Sequence, residues 1–440
     1  MSKRAYRATR VNDVNWDQLA QGKDGLDIAL GVDVGKYSLW TVCRWADGRF
    51  ELPWRVQNPG EIPTLLTLLK RVSAGRKLVV AMESSGTYGD ALRQALADNQ
   101  IELQRVGGKA AHDYAEVFDG VPSQHDGKDA AVVAELAALG KAMPWEYQPA
   151  DPWEQELAYW VDWMVAHRQM LTIWQGRLEG LLARHWPEAT QVLKLSSGTL
   201  LRVLKRYGTP QALAADGEAA KLLARWGGAF LAPEKIEHLL TGAGASVGVR
   251  LGEWQQRQIQ NYAQQALAAR QEANRAERRL RSLAEGHAVL QAQGKVVGVP
   301  TACVLWASTG DPRKYHAAGA YRKAMGLNLV ERSSGTYQGK LRISKRGSSR
   351  TRQWLYFAVL RLVQKCGVRP WYEAKKAHDE ADARRAVVAV MRKLAVALYY
   401  VGVHNEEFQP RRLFGRIRRR SGSPGEQKSR TKRRSRAEQI

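Results

Sequence analysis

Ile28-Ala29-Leu30-Gly31-Val32-Asp33 is an apolar run closed by an acid, and Leu78-Val79-Val80-Ala81-Met82-Glu83 repeats the arrangement fifty residues on. Five uninterrupted apolar residues predict a strand covered on both faces, as in α/β sheets. An acid at the carboxyl end of such a strand escapes the core and faces the crevice where these sheets build their sites. Asp126 and Asp129 stand just before the helical pattern Ala130-Ala131-Val132-Val133-Ala134. They are three apart, so a helix that begins early enough carries both on one face. Two strand ends and one helix start can then converge.

Working outward, strands are predicted at 27–33, 37–45 and 50–56, with Asp47-Gly48 as the hairpin turn between the second and third. Helices follow at about 60–73, 87–98 and 108–117, with strands at 77–82 and 101–106 between them. This β-β-β-α-β-α-β-α order is where an RNase H-like fold gathers Asp33, Glu83, Asp126 and Asp129. Neighbouring carboxylates repel unless a cation sits between them. Magnesium is the natural candidate, a hard ion that prefers oxygen, keeps several waters and is held by a few carboxylates with substrate phosphates. Plainer roles compete. Asp126 could cap a helix starting near Asp129, and Asp33 could belong to a turn Asp33-Val34-Gly35-Lys36. His125 is the one histidine placed to reach the acids, and an ordinary polar loop histidine is its plainer reading.

The chain has 440 residues with a formal net charge of +25, and 44% are apolar, which gives room for two or three domains with real cores. No uninterrupted apolar run approaches the roughly 18 residues of a membrane span, and Met1-Ser2-Lys3-Arg4-Ala5-Tyr6-Arg7 lacks the apolar stretch of a secretion signal, so a cytoplasmic protein is expected. Cys43, Cys303 and Cys366 are too few and too scattered for a disulfide framework or a zinc cluster. From Glu406 to Ile440 twelve Lys or Arg face four Glu, a net +8, with basic runs at Arg416–Arg420 and Lys432–Arg436. That tail is expected to be disordered. The remaining +17 belongs to residues 1–405, so the folded body is itself basic and suited to binding phosphates by counterion release. A membrane-surface role would need a basic amphipathic helix or a lipidation motif, and neither is present.

Pro144-Trp145-Glu146-Tyr147-Gln148-Pro149-Ala150-Asp151-Pro152 reads as an extended linker, since three prolines in nine residues cannot continue a helix. Beyond it Leu157, Trp160, Met164, His167, Leu171, Trp174, Leu178 and Leu181 follow three- and four-residue steps, with His167 as a packed or partly solvated member. Ile259, Tyr262, Ala266, Ala269, Ala273, Ala276, Leu280 and Leu283 keep a heptad rhythm. That seam predicts either a dimerising coiled coil or an antiparallel hairpin within the chain. Residues 186–250 read as a small helical insert between the two.

The last folded region, about 287–405, opens with Lys295-Val296-Val297-Gly298-Val299-Pro300-Thr301-Ala302, a glycine turn running into an apolar helix, as in a helix-hairpin-helix whose amides hold a DNA phosphate. Further on, Lys340, Arg342, Lys345, Arg346, Arg350 and Arg352 are six cations in thirteen residues, after Ser333-Ser334-Gly335. Glycines let backbone approach a phosphate, cations neutralise it, and a hydroxyl among them could attack phosphorus. A plain phosphate-binding loop uses the same residues.

The order Gly31-Val32-Asp33, Met82-Glu83-Ser84-Ser85-Gly86-Thr87-Tyr88, Asp126-Gly127-Lys128-Asp129-Ala130, then Gly298-Val299-Pro300, Met325-Gly326-Leu327, Ser-Ser-Gly and Arg342-Ile343-Ser344-Lys345-Arg346-Gly347 resembles the DEDD insertion-sequence transposases, the bridge-RNA-guided serine recombinases. The resemblance spans roughly 27–405. It implies an α/β plus α architecture: a basic arm at 1–25, a RuvC-like (RNase H-like) domain at 26–142, a linker and helical coiled-coil region at 143–286, a mainly helical C-terminal transposase domain at 287–405 and the tail at 406–440. It implies that Asp33, Glu83, Asp126 and Asp129 bind Mg2+ and that Ser334 is the nucleophile, with Ser333 as its rival. Ser334 directly precedes Gly335 and sits in the family's register counted from Gly326. Lys340, Arg342, Lys345, Arg346, Arg350 and Arg352 would bind nucleic acid. The implied partners are donor and target DNA, a noncoding bridge RNA, and further copies of the chain in a dimer or tetramer whose protomers share active sites. The insert at 186–250 and the tail exceed the compact family form. A junction-resolving nuclease using the same acids with water, and a non-catalytic nucleic-acid-binding protein, are the alternative readings.

Overall fold

The computed structural model describes residues 8–415 apart from 84–85, 122–124, 146–150, 332, 335–338, 340, 345, 366 and 380–381. The chain divides into two compact units, Met1–Pro149 and Ala150–Ile440. The basic runs of the tail lie outside the described residues.

The first unit is built on a mixed sheet of seven described strands: β1 (Thr9–Arg10), β2 (Ile28–Val34), β3 (Ser38–Trp45), β4 (Trp54–Gln57), β5 (Leu78–Glu83), β6 (Glu102–Val106) and β7 (Met143–Pro144). Their order is β1-β4-β3-β2-β5-β6-β7. β2, β3 and β4 form an antiparallel meander, and β5 and β6 extend it parallel to β2. The meander turns at Asp47-Gly48, where Gly48 takes φ 92° and Asp47 accepts a hydrogen bond from the Arg49 amide. β4 starts later than the sequence pattern suggests. Pro53 has no N–H for a ladder, and its carbonyl instead accepts a 2.9 Å hydrogen bond from the Thr9 amide, which brings β1 alongside β4.

Residues expected to form a basic arm therefore fold into this unit. After β1, α1 (Trp16–Ala20) is capped by Asn15, and Trp16 is buried against Trp45 with ring centroids 5.6 Å apart. Likewise Met143-Pro144, expected as the start of a linker, pairs with β6, and the Trp145 amide donates to the Leu103 carbonyl.

Alternation along the strands sorts the helices onto two faces. Ile28, Leu30 and Val32 of β2 and Leu78, Val80 and Met82 of β5 pack with α2 (Ile62–Val72) and α3 (Asp90–Asp98). Ala81, Val42 and Val106 face α4 (Gly108–Asp119) and α5 (Asp126–Ala138). Asp33 and Glu83 share the parity of that second face.

In the second unit, α6 (Pro152–His185) is capped by Asp151 and pairs with α12 (Glu253–Glu285). Trp153 reaches Leu283, Glu156 reaches Arg279, and Trp163 reaches Glu272, so the pair is antiparallel within one chain. Between them α7 (Pro187–Val192), α8 (Gly198–Arg206), α9 (Pro210–Ala214), α10 (Ala219–Gly227) and α11 (Pro233–Gly244) cover one end of the pair. Leu200, Leu204, Leu213, Leu223 and Leu239 share a core there with Leu178, Leu182 and Ile259.

The other end carries α13 (Ala288–Val297), α14 (Val299–Thr309), α15 (Ala318–Ala324), a two-stranded ribbon β8 (Leu329–Val330) and β9 (Arg342–Ile343), then α16 (Ser349–Leu362), α17 (Arg369–His378), α18 (Ala383–His404) and a last turn α19 (Pro410–Leu413). α18 is long and apolar enough to cross a membrane by length and composition alone, although Arg392 and Lys393 interrupt its apolar run. Here it is a core helix: Val390, Leu394, Ala395 and Leu398 are buried among residues of α13, α14 and α16.

Candidate functional site

The four acids come from three places in the first unit. Asp33 is the penultimate residue of β2 and Glu83 the last of β5, on adjacent parallel strands whose register pairs Val32 with Met82. Asp126 and Asp129 lie in the first turn of α5. Each of the other three acids is near enough to raise the Asp33 pKa. Burial first, then the charges of Asp129 and Asp126, and least Glu83, push it up from 3.8 to about 6. Burial and Asp126 also raise Asp129, against the pull of His125 and Lys128.

α5 reaches this position because Gly31 has no side chain. A Cβ built there would lie 2.0 Å from the Ala130 carbonyl oxygen and 2.4 Å from the Ala134 nitrogen. The helix therefore rides on bare β2 backbone, one strand residue pair away from Asp33. Its start is fixed by His125, whose Nδ1 accepts a 3.1 Å hydrogen bond from the Lys128 amide. This replaces the reading of Asp126 as a cap. Asp33 belongs to the strand, and the turn after it closes through Gly35, whose amide donates to the Ser38 carbonyl.

Two further supports went unread in the sequence. Lys128, between the two helix acids, is buried with its Nζ 2.6 Å from Asp119 Oδ1 and 2.5 Å from the Val121 carbonyl, tying α5 to the end of α4. At the start of α4 a Cβ on Gly108 would meet Glu83 Oε1 at 2.3 Å, so the carboxylate rests against a helix N-terminus that favours its charge. A glycine inside a strand and a glycine pair after one are the signals that mark such close approaches.

Among the described residues no group of three or more His, Cys, Asp or Glu side chains is drawn in tightly enough to enclose an ion. The set suits a hard divalent cation that keeps its own waters and takes only a few carboxylates. Its mutual repulsion, visible at Asp33, is the term such a cation would relieve.

In the second unit Ser333 and Ser334 are both exposed. The Ser333 hydroxyl donates to Glu331 Oε1 at 2.6 Å and accepts from the Gly339 amide at 3.0 Å. Ser334 makes no hydrogen bond among the described residues. Arg342 and Arg346 are exposed, Arg350 is ion-paired with Asp162, and Arg352 donates to the Gly347 carbonyl at 3.0 Å. Lys340 and Lys345 lie outside the described residues.

Residues 30–187 match a DEDD-type transposase family of IS110 elements, and residues 292–376 match the family described as Transposase IS116/IS110/IS902. The acids fall in the first match, and the serines and basic segment in the second. By class the chain is thus a transposase, and it carries two domains of the IS110 family of insertion-sequence transposases. A curated relative is the insertion element IS110 uncharacterized 43.6 kDa protein of Streptomyces coelicolor, 26% identical over 321 residues that cover 71% of this chain and 78% of the relative.

Proposed function

We propose that this transposase cuts and rejoins donor and target DNA through a serine-DNA ester, with Asp33, Glu83, Asp126 and Asp129 holding Mg2+ and Ser334 as nucleophile. The observation that carries the acidic half is the Asp33 carboxyl, which senses all three other acids at the end of an RNase H-like strand order, β4-β3-β2-β5-β6. Bound Mg2+ would polarise the scissile phosphate and offset charge on the leaving oxygen. Ser334 Oγ attacks phosphorus, and the leaving DNA oxygen takes up a proton. The ester then keeps the phosphodiester's energy until a second DNA hydroxyl displaces the serine, so rejoining needs no external energy source. Ser334 is preferred over Ser333 because the Ser333 hydroxyl is engaged on both sides by Glu331 and Gly339.

Arg342 and Arg346 are the described cations of the basic segment that stand exposed beside this loop to take DNA or RNA phosphates. The family resemblance further assigns choice of target to an RNA paired with donor and target DNA, action in the cytoplasm, and assembly of the chain as a dimer or tetramer. A second reading has its own support: the DEDD-type match of residues 30–187 suits hydrolysis by metal-bound acids with water as nucleophile.

A denaturing gel separates the two. Parent protein, labelled element ends with flanking RNA, and Mg2+ should give a covalent protein-DNA adduct, absent with Ser334→Ala and with Asp33→Asn but present with Ser333→Ala. Cleaved strands free of protein from the parent and from both serine variants, lost only with Asp33→Asn, would establish the hydrolytic reading and remove the role given to Ser334.

A further inference from the structure

The second unit contains a cavity of about 410 Å³ between α6, α12, the α13–α14 turn and α16, with neither Ser333 nor Ser334 in its lining. Its charged lining is one-sided. Arg168, Arg281, Lys295, Arg361 and Lys365 face it against a single acid among the described residues, Glu277, which is already ion-paired with Arg168. Arg361 is tied to the Val297 carbonyl at 3.3 Å, while Arg281, Lys295 and Lys365 make no side-chain hydrogen bond or ion pair among the described residues. Burial, and then the neighbouring Arg361, lower the pKa of Arg168, as expected where a guanidinium is taken from water beside a second cation.

Backbone adds to the same field. α14 is an 11-residue helix whose N-terminus opens beside the cavity with no side-chain cap, and its second residue, Pro300, has no amide to offer. The orphan amides of Val299 and Thr301 and the helix dipole therefore favour an anion. Gly298, at φ 88°, has open space where a Cβ would be, so a ligand can come up to the main chain there. Trp354 supplies an aromatic wall. A space of this size is too large for an inorganic ion and matches pockets that take a small organic ligand.

We propose that this cavity is a polynucleotide-binding site, taking one backbone phosphate between Arg281, Lys295, Lys365 and the start of α14, with its nucleoside against the Trp354 side. It extends the proposed DNA and RNA binding to a site separate from the serine loop, and rests on that reading for the class of ligand. The two remain separable, because the adduct tests chemistry and the experiment below tests equilibrium binding.

Full-length protein is titrated with labelled duplex DNA, single-stranded DNA and single-stranded RNA across a salt series without Mg2+. Each phosphate neutralised contributes about 0.9 to the slope of log affinity against log salt for duplex and about 0.7 for single strands, so losing one contact weakens binding roughly eightfold at 0.1 M salt on duplex. Arg281→Ala/Lys295→Ala should lower the slope by about one and weaken binding to that extent or more, and Arg281→Lys/Lys295→Arg should restore both. Arg225→Ala/Lys235→Ala, which removes the same charge from exposed positions on α10 and α11, should change neither. Loss confined to DNA or to RNA would identify the strand that supplies the phosphate, and loss on all three probes would mark a grip on any polynucleotide. An Arg281→Ala/Lys295→Ala protein that melts like the parent and binds all three probes with unchanged slope would overturn the proposal, whatever the adduct gel shows.

Discussion

Replacing Gly31 with alanine adds one methyl group where α5 crosses β2, and the structure fixes what it meets. The new Cβ would stand 2.0 Å from the Ala130 carbonyl oxygen, 2.4 Å from the Ala134 nitrogen and 2.9 Å from the Ala134 Cβ. The first two are main-chain atoms of a regular helix and cannot rotate away. To restore van der Waals separation α5 must recede by somewhat more than about 1 Å, lifting Ala130, Val133 and Ala134 from the sheet. Overpacking of this kind costs about 1–3 kcal/mol, and rigid atoms on both sides place Gly31→Ala at the upper end. For a unit this size that is a loss of roughly 6–12 °C in Tm. The same shift moves Asp126 and Asp129 away from Asp33, and a misplacement of about 1 Å in a catalytic group lowers the rate by roughly a hundredfold. The assay pairs thermal unfolding with Mg2+-dependent cleavage of element-end DNA, with Asp33→Asn as the contrast, since it should lose cleavage while relieving repulsion and keeping or raising Tm. A Gly31→Ala protein that melts and cleaves like the parent would refute the claim that bare backbone at this position seats the helix.

Gly108→Ala should behave oppositely in stability, because its Cβ meets only the movable Glu83 carboxylate: unfolding free energy is held or raised by up to about 1 kcal/mol through lower unfolded-chain entropy, while cleavage drops by about tenfold or more. Lys128→Met strips the buried Asp119 of its cation and should cost about 3–5 kcal/mol in urea denaturation, most of it recovered when Asp119→Leu is added; equal stability of the single and double variants would argue against the pair. Asp33 gives a pH signature. Its folded pKa of about 6 lies above the ordinary 3.8, so the folded state holds this proton more tightly, and metal-free stability from this group falls as pH rises from about 4 to 6 and is level beyond. The descent should be absent from Asp33→Asn, and Mg2+ should raise Tm more at pH 7.5 than at pH 5; matching profiles for parent and variant would remove Asp33 as its source.

The acids were legible because they end patterns. Two apolar runs predicted two buried strands, each closed by an acid that escapes the core, and the structure pairs them in parallel with Asp33 and Glu83 on one face. What the pattern could not carry was the third dimension of the site. Lys128 looks like a surface cation among Asp126, Gly127 and Asp129, yet it is buried, because α5 turns that side toward the end of α4. The short strands β1 and β7 were read as arm and linker for a related reason: two residues have no periodicity, and they are strands only because an open sheet edge already waits beside them.

The heptad stripe on α12 shows where a sequence pattern stops short of assembly. Ile259, Ala266, Ala269, Ala273, Ala276 and Leu280 are buried as a seam would require, but Ala263 and Ala284 are buried with them, and Tyr262 and Leu283 move to the flanks. The small residues let α6 of the same chain lie close, and the polar contacts of Glu156 with Arg279 and Trp163 with Glu272 hold it antiparallel. A repeat of 3.5 residues states that one partner helix is needed, and that need is met within the chain. Self-association, if the transposase acts as a dimer or tetramer, must then draw on surface other than this seam.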